Sequence, residues 1–230
     1  MALGGLTRVR AVLLDALGTL VELPAPWPAL VDELAARSVA IAEDEARTAL
    51  LEEMAYYRAH HDEATGPAEL DGLRDRCTEV LRAALPAHAR AAPGLRDALL
   101  ASLRFRPYPE VPGVLAELRD IGVARVVVSN WDVSLRGVLE DTGLAPLLDG
   151  VVISAEAGVA KPDPEIFARA LEFAGVAADE ALHVGDTAAA DLAGARAAGI
   201  RAVHLDRSGA DPGALASLAG LPGLVRSVGP

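Results

Sequence analysis

Glutamine is absent from this 230-residue chain, and asparagine, lysine and cysteine occur once each, at Asn130, Lys161 and Cys77. A single cysteine cannot close an intramolecular disulfide, which suits a reducing cytoplasm, and Cys77 lies in a helical pattern where it reads as a packing residue. Aromatic residues make up only 3% of the chain, so its core must be built from Ala, Leu and Val. No apolar run approaches the ~18 residues a transmembrane helix needs, which excludes such a span. The amino-terminal region has Arg8 and Arg10, but its apolar stretch leads straight into Asp15. Cleaving it as a secretory signal would remove a strand described next, and that reading is rejected. Basic residues are outnumbered 33 to 21, for a net charge of -12. That balance excludes a nucleic-acid surface, which needs a basic footprint, and the acidity is read as serving solubility. There are no internal repeats, and no low-complexity tract beyond an alanine bias.

What is present is organised around Arg10-Ala11-Val12-Leu13-Leu14-Asp15-Ala16-Leu17-Gly18-Thr19-Leu20. Its four-residue apolar run has the character of a strand buried on both faces of a parallel sheet. Asp15 follows at once, at the carboxyl edge where open α/β folds put their chemistry. Taken alone this is an ordinary turn Asp, and its weight comes from partners elsewhere. Val126-Val127-Val128-Ser129-Asn130 is a second buried strand, ending in a small hydroxyl. Lys161-Pro162-Asp163-Pro164 sets a lysine just before a helix start. Leu182-His183-Val184-Gly185-Asp186-Thr187 is a third strand ending in an acid, with Asp191 five residues beyond Asp186. Of the 21 basic residues 20 are arginine. A chain that has otherwise replaced Lys by Arg keeps one compact ammonium here, which the planar guanidinium cannot imitate.

Leu23-Pro24-Ala25-Pro26-Trp27-Pro28 is too proline-rich for a central strand and reads as a stiff exit from the core, with Pro28 opening a helix at its first position. Apolar residues at helical spacing then predict helices over 29–39, 44–61, 68–85 and 95–104, broken at Gly66-Pro67, Pro86 and Pro93-Gly94. Phe105 to Pro109 is a second proline-rich crossing, read as a return hinge. Beyond it the pattern alternates: helix 111–121, the strand to Ser129, strand 150–154, helix 164–174, the strand to Val184, helix 188–198 and strand 200–205. Such alternation implies right-handed crossovers and a parallel sheet covered on both faces. The residues from Gly209 onward are expected to pack outside, away from the chemistry.

The four segments around Asp15, Ser129, Lys161 and Asp186 resemble the motifs of the haloacid dehalogenase superfamily, over about Val9 to Asp206. The resemblance implies an α/β fold, a Rossmann-like doubly wound parallel sheet with an inserted all-helical cap. Residues 1–22 and 105–230 would form the hydrolase core and 23–104 the cap, screening the site from water. It further implies a Mg2+-dependent hydrolase acting on a small phosphate ester or acyl phosphate through an aspartyl-phosphate at Asp15. Magnesium would be held by Asp15, the backbone carbonyl of Leu17 and Asp186, a hard all-oxygen set. Lys161 would be catalytic, neutralising charge. Ser129 and the backbone N–H of Asn130 would hold phosphate oxygens, Thr19 would orient the Asp15 loop or touch phosphate, and Asp191 would support from outside the metal. Glu156 matches a common family pattern without a derivable role. The partner implied is a small phosphorylated molecule, not nucleic acid or membrane, in the cytoplasm; oligomeric state is open.

One departure limits the functional reading. Superfamily phosphatases usually carry a second Asp two residues after the nucleophile to protonate the leaving alcohol, and here that position is Leu17. Such acid–base help is worth roughly 100- to 10,000-fold. Tyr56, Tyr57, His60 and His61 cluster at one helix end and include the side chain best suited to proton transfer near neutrality, although edge packing is the favoured reading of them. Asp-Ala-Leu-Gly-Thr-Leu is closer to the first motif of metal-independent 2-haloacid dehalogenases, which expel halide and need no acid. That branch, however, has Ser and Asn where Gly185-Asp186 stand. Its substrate-gripping arginine has no match at Leu50 to Glu53, with Arg47 and Arg58 about a turn to either side. A catalytically silent metabolite-binding member is the third reading.

Overall fold

A computed structural model describes residues 8–227. The chain divides into two compact units, one formed from the residues up to Glu22 and from Arg106 onward, the other from Leu23–Phe105. The first unit opens with β1 (Ala11–Leu14) and β2 (Val21–Glu22). The second holds α1 (Trp27–Ala35), α2 (Glu43–His60), α3 (Pro67–Ala84) and α4 (Leu95–Ser102). Return to the first unit runs through β3 (Arg106–Pro107), α5 (Val111–Asp120), β4 (Ala124–Ser129), α6 (Leu135–Asp141), β5 (Gly150–Ile153) and α7 (Ser154–Ala157). It closes with α8 (Pro164–Ala174), β6 (Ala181–Gly185), α9 (Ala193–Ala197), β7 (Arg201–His204) and α10 (Leu221–Ser227).

The five long strands form one parallel sheet in the order β5-β4-β1-β6-β7. All four residues of β1 are fully buried, as an apolar run at the centre of a sheet covered on both faces must be. From β1 the chain moves outward through β4 to β5, then crosses back to β6 and on to β7. The order therefore reverses beside β1, which makes the β1/β6 crevice the topological switch point where open α/β sheets bind ligands. Right-handed crossovers put α5 and α6 on one face and α8 and α9 on the other. On the latter face Leu13, Val126 and Val128 pack with Ile166, Phe167 and Ala170 of α8 and Ala195 of α9. The architecture is the α/β doubly wound sheet expected from the alternation.

The helical unit has its own core: Leu30 and Leu34 of α1, Leu50 of α2, Leu73, Cys77 and Leu81 of α3, and Leu95 and Leu99 of α4. Cys77 is a buried packing residue. The α2 start is capped by Glu45, whose carboxylate accepts the Ala42 N–H at 2.8 Å. No helix among the described residues is long and apolar enough to cross a membrane.

Three local expectations change. Helix α1 begins at Trp27, so Pro28 stands second rather than first, where its missing N–H is still harmless. The proline-rich return is not a bare hinge: Arg106–Pro107 pairs antiparallel with Val21–Glu22 as a small ribbon. Proline is tolerated there because the ribbon has only two strands, leaving each an edge. The segment from Ala188 opens not as α-helix but as a π-helical turn over Ala188–Leu192, followed by α9.

Gly194 marks a close approach of α9 to the loop carrying Lys161. A Cβ there would lie 2.7 Å from Phe167 and 2.9 Å from the Pro162 backbone. Gly194→Ala is expected to destabilise the chain by about 1–3 kcal/mol through overpacking, read from the urea unfolding midpoint.

Candidate active site

The ends of three adjacent strands supply the site. β1 runs directly into Asp15, whose N–H continues the ladder to the Val184 carbonyl at 3.0 Å. Ser129 closes β4, and Asp186 follows β6. Lys161 reaches in from the loop before α8. Its ammonium donates to Asp15 Oδ1 and to Asp191 Oδ1, both at 2.6 Å. Ser129 Oγ donates weakly to the same Asp15 oxygen at 3.4 Å. Asp15 Oδ2 has no hydrogen-bond partner among the described residues, which leaves one carboxylate oxygen uncommitted.

Asp191 faces inward from the π-helical turn. Its N–H donates to the Thr187 carbonyl, and its Oδ2 accepts the Thr187 N–H at 2.9 Å. The carboxyl group occupies the space where a side chain at position 185 would stand, so Gly185 is required. His183 Nε2 lies 3.0 Å from Asp191 Oδ1, its ring edge-on to Phe167 with centroids 5.0 Å apart. With both oxygens committed, Asp191 supports its neighbours. Asp186 is exposed, and its carboxylate accepts from Thr187 Oγ1 at 3.1 Å.

Oxygens of Asp15, Asp186 and Asp191 lie within 4.8 Å of one another. One ammonium faces these three carboxylates, and the imbalance appears in their proton affinities. Burial pushes the Asp15 carboxyl up to about 6; Lys161 opposes this, and Asp191 and Asp186 reinforce it. Asp186 is also raised, by partial desolvation and by the charge of Asp191. Burial would raise Asp191 too, but His183 and Lys161 hold it well below the ordinary carboxylate range. For Lys161 burial works against the charge, yet Asp15 and Asp191 more than offset it and the ammonium is raised. Burial keeps His183 low, so the neutral ring donates through Nε2. A concentrated group of oxygens with unmatched negative charge suits a hard divalent cation.

Asn130 does more than offer its backbone. Its amide nitrogen donates to the Lys161 carbonyl at 2.9 Å, and its amide oxygen accepts the Lys161 N–H at 2.7 Å. The lone asparagine thus latches the lone lysine from both sides. Thr19 is fully enclosed, and its hydroxyl meets no hydrogen-bond partner among the described residues. Leu17 is 42% exposed. Glu156 pairs with Arg136. In the helical unit Tyr56 stacks on His60 with centroids 4.0 Å apart and accepts from Arg76, while Arg47 lies over Trp27. The latch of Asn130 and the support from His183 were not read from the sequence. A histidine inside a buried strand was the one available signal for the latter.

A family model for haloacid dehalogenase-like hydrolases matches residues 9–199. The chain belongs to that family. Among curated relatives of this hydrolase, a phosphoserine phosphatase from Thermus thermophilus is 46% identical over 105 residues, covering 45% of this chain and 42% of that protein. The matched portion is therefore less than half the length of that relative. Solved structures extend the likeness to nearly the whole fold. A HAD phosphatase from Thermococcus onnurineus is 24% identical, with TM-score 0.65, over 94% of this chain and 98% of that one. A 2-haloacid dehalogenase from Pseudomonas syringae pv. Tomato DC3000 is 26% identical, with TM-score 0.64, over 95% and 99%.

Replacing Asn130 by Asp keeps the acceptor for the Lys161 N–H but sets two oxygens face to face where a donor stood. Asn130→Asp is expected to cost about 1–3 kcal/mol, the penalty of an unmade buried hydrogen bond, measured by denaturant titration beside the wild-type chain.

Proposed function

We propose that this hydrolase is Mg2+-dependent and acts on a small phosphate ester or acyl phosphate through an aspartyl-phosphate at Asp15. The observation that carries the reading is the trio Asp15, Asp186 and Asp191 with oxygens within 4.8 Å, of which Asp186 is exposed. A site that only expels halide has no use for that acid. The phosphatase named among the relatives supports the same reading.

Asp15, the Leu17 carbonyl and Asp186 would hold magnesium, and the donor set fits because it is all oxygen and carries excess negative charge. When bound, the ion supplies electrostatic neutralisation of the phosphoryl group. The chain's own groups do the rest. Asp15 Oδ2, free of hydrogen bonds, forms the bond to phosphorus as the leaving oxygen departs with its electron pair. Lys161 lowers the repulsion between that carboxylate and the phosphoryl oxygens, while Asp191 holds the ammonium in place. Ser129 and the Asn130 N–H receive the non-bridging oxygens. Water then attacks phosphorus, releasing phosphate and restoring Asp15. The 23–105 unit takes the cap role of the family.

Leu17 defines what this site does poorly. Its side chain stands where a proton donor would serve the leaving alcohol, and an isobutyl group transfers no proton. The favoured substrates therefore have leaving groups stable without protonation, acyl or aryl phosphates above all. Turnover of p-nitrophenyl phosphate is expected to vanish with chelator and to fall to background in Asp15→Asn. Halide release from 2-chloropropionate in chelator would instead establish the dehalogenase reading. Ligand binding without turnover across a broad panel would establish a silent binder.

A second expectation concerns leaving groups. Leu17→Asp should raise kcat on alkyl phosphates by roughly 100-fold or more, within the range of general acid catalysis, with a smaller gain on aryl phosphates. An equal change on both would show that proton transfer does not limit the wild-type site.

A further inference from the structure

Arg207 lies beyond the end of β7, outside every motif that marked the site, and its guanidinium reaches back to the loop after Asp15. Nε donates to the Gly18 carbonyl at 3.0 Å and Nη2 to the Thr19 carbonyl at 2.7 Å. Nη1 donates to Glu110 Oε1 at 2.7 Å, an oxygen that also accepts from Ser217. One face of the guanidinium covers the Tyr108 ring, 3.4 Å from its centroid. The Tyr108 N–H in turn donates to the Leu20 carbonyl at 3.1 Å. Each of the three guanidinium nitrogens and one of its faces are thus engaged around residues 18–20.

Two successive carbonyls turned toward one side chain is an arrangement the loop does not satisfy by itself. No backbone N–H among the described residues reaches either oxygen. Buried carbonyls need a partner, and leaving one unmade is costly. Gly18 has φ +82, and its Cα packs so tightly on the Asp186 carboxylate that a Cβ would overlap it. The direction of the Gly18 carbonyl therefore sets how the Asp15 loop meets Asp186. Lysine cannot do this work: it offers a point charge, whereas the planar fork makes parallel bonds and stacks on a ring.

We propose that Arg207 is a positioning residue for the reaction, clamping the Gly18 and Thr19 carbonyls so that Asp15 keeps its placement against Asp186. It touches neither Asp15 nor Asp186 through its side chain and acts through the loop backbone. The effect on turnover rests on the phosphatase reading; the effect on the loop does not.

Two measurements on Arg207→Lys and Arg207→Ala test the clamp. In amide hydrogen exchange, Gly18, Leu20 and Val21 should exchange at least about tenfold faster, while β1 and β4 keep wild-type protection. With p-nitrophenyl phosphate and magnesium, kcat per folded molecule should fall by about 100-fold, the cost of misplacing a reacting group by an ångström, with KM within about twofold. Lys should not restore kcat, and added methylguanidinium should partly restore it in Arg207→Ala. Wild-type exchange of the loop in Arg207→Lys, or wild-type kcat, would overturn the proposal. If the wild-type chain turns over no phosphate ester, the phosphatase reading fails and the exchange measurement alone decides whether Arg207 holds the loop.

Discussion

One ammonium group makes the buried site tolerable. Lys161 is 6% exposed and donates to Asp15 and Asp191 at equal distance, joining the end of β1 to the π-helical turn after β6. Carboxylates withdrawn from water beside one another repel, and each loses hydration worth several kcal/mol. Asp191 settles the conflict by accepting from His183, Lys161 and the Thr187 backbone, which keeps it ionised. Asp15 is left partly unsatisfied, one oxygen committed and the other open, with its proton affinity raised by burial. The strain of the arrangement thus falls on Asp15.

Backbone contacts hold the pieces at their spacing. Asn130 brackets both peptide groups of Lys161, and Arg207 grips two carbonyls after Asp15. Gly18, Gly185 and Gly194 remove the Cβ atoms that would separate Asp186, Asp191 and the Pro162 loop from their neighbours. Side-chain identity at Leu17 is free of these constraints, since its isobutyl group is exposed. The side chain at this position can therefore vary without disturbing the geometry around Asp15.

The sheet was legible because buried parallel strands are short apolar runs: Ala11–Leu14 and Val126–Val128 are uninterrupted, and Leu182–Val184 is broken only by His183. The polar residue ending each run pointed to the carboxyl edge for the same reason. Lys161 and Asn130 stood out through rarity alone. The π-helical turn was illegible, since Ala188–Leu192 has ordinary helical composition. Arg207 gave no signal at all among 20 arginines; its partners are carbonyls some 189 positions away, and backbone acceptors leave no trace in composition.

The scarcity of lysine has a practical side. Because the one ε-amine is enclosed between Asp15 and Asp191, an amine-directed acylating reagent meets no lysine side chain on the folded exterior. Adduct formation at residue 161 is then a clock for the breathing of the interior around Asp15, readable by mass spectrometry against a surface that offers no competing lysine.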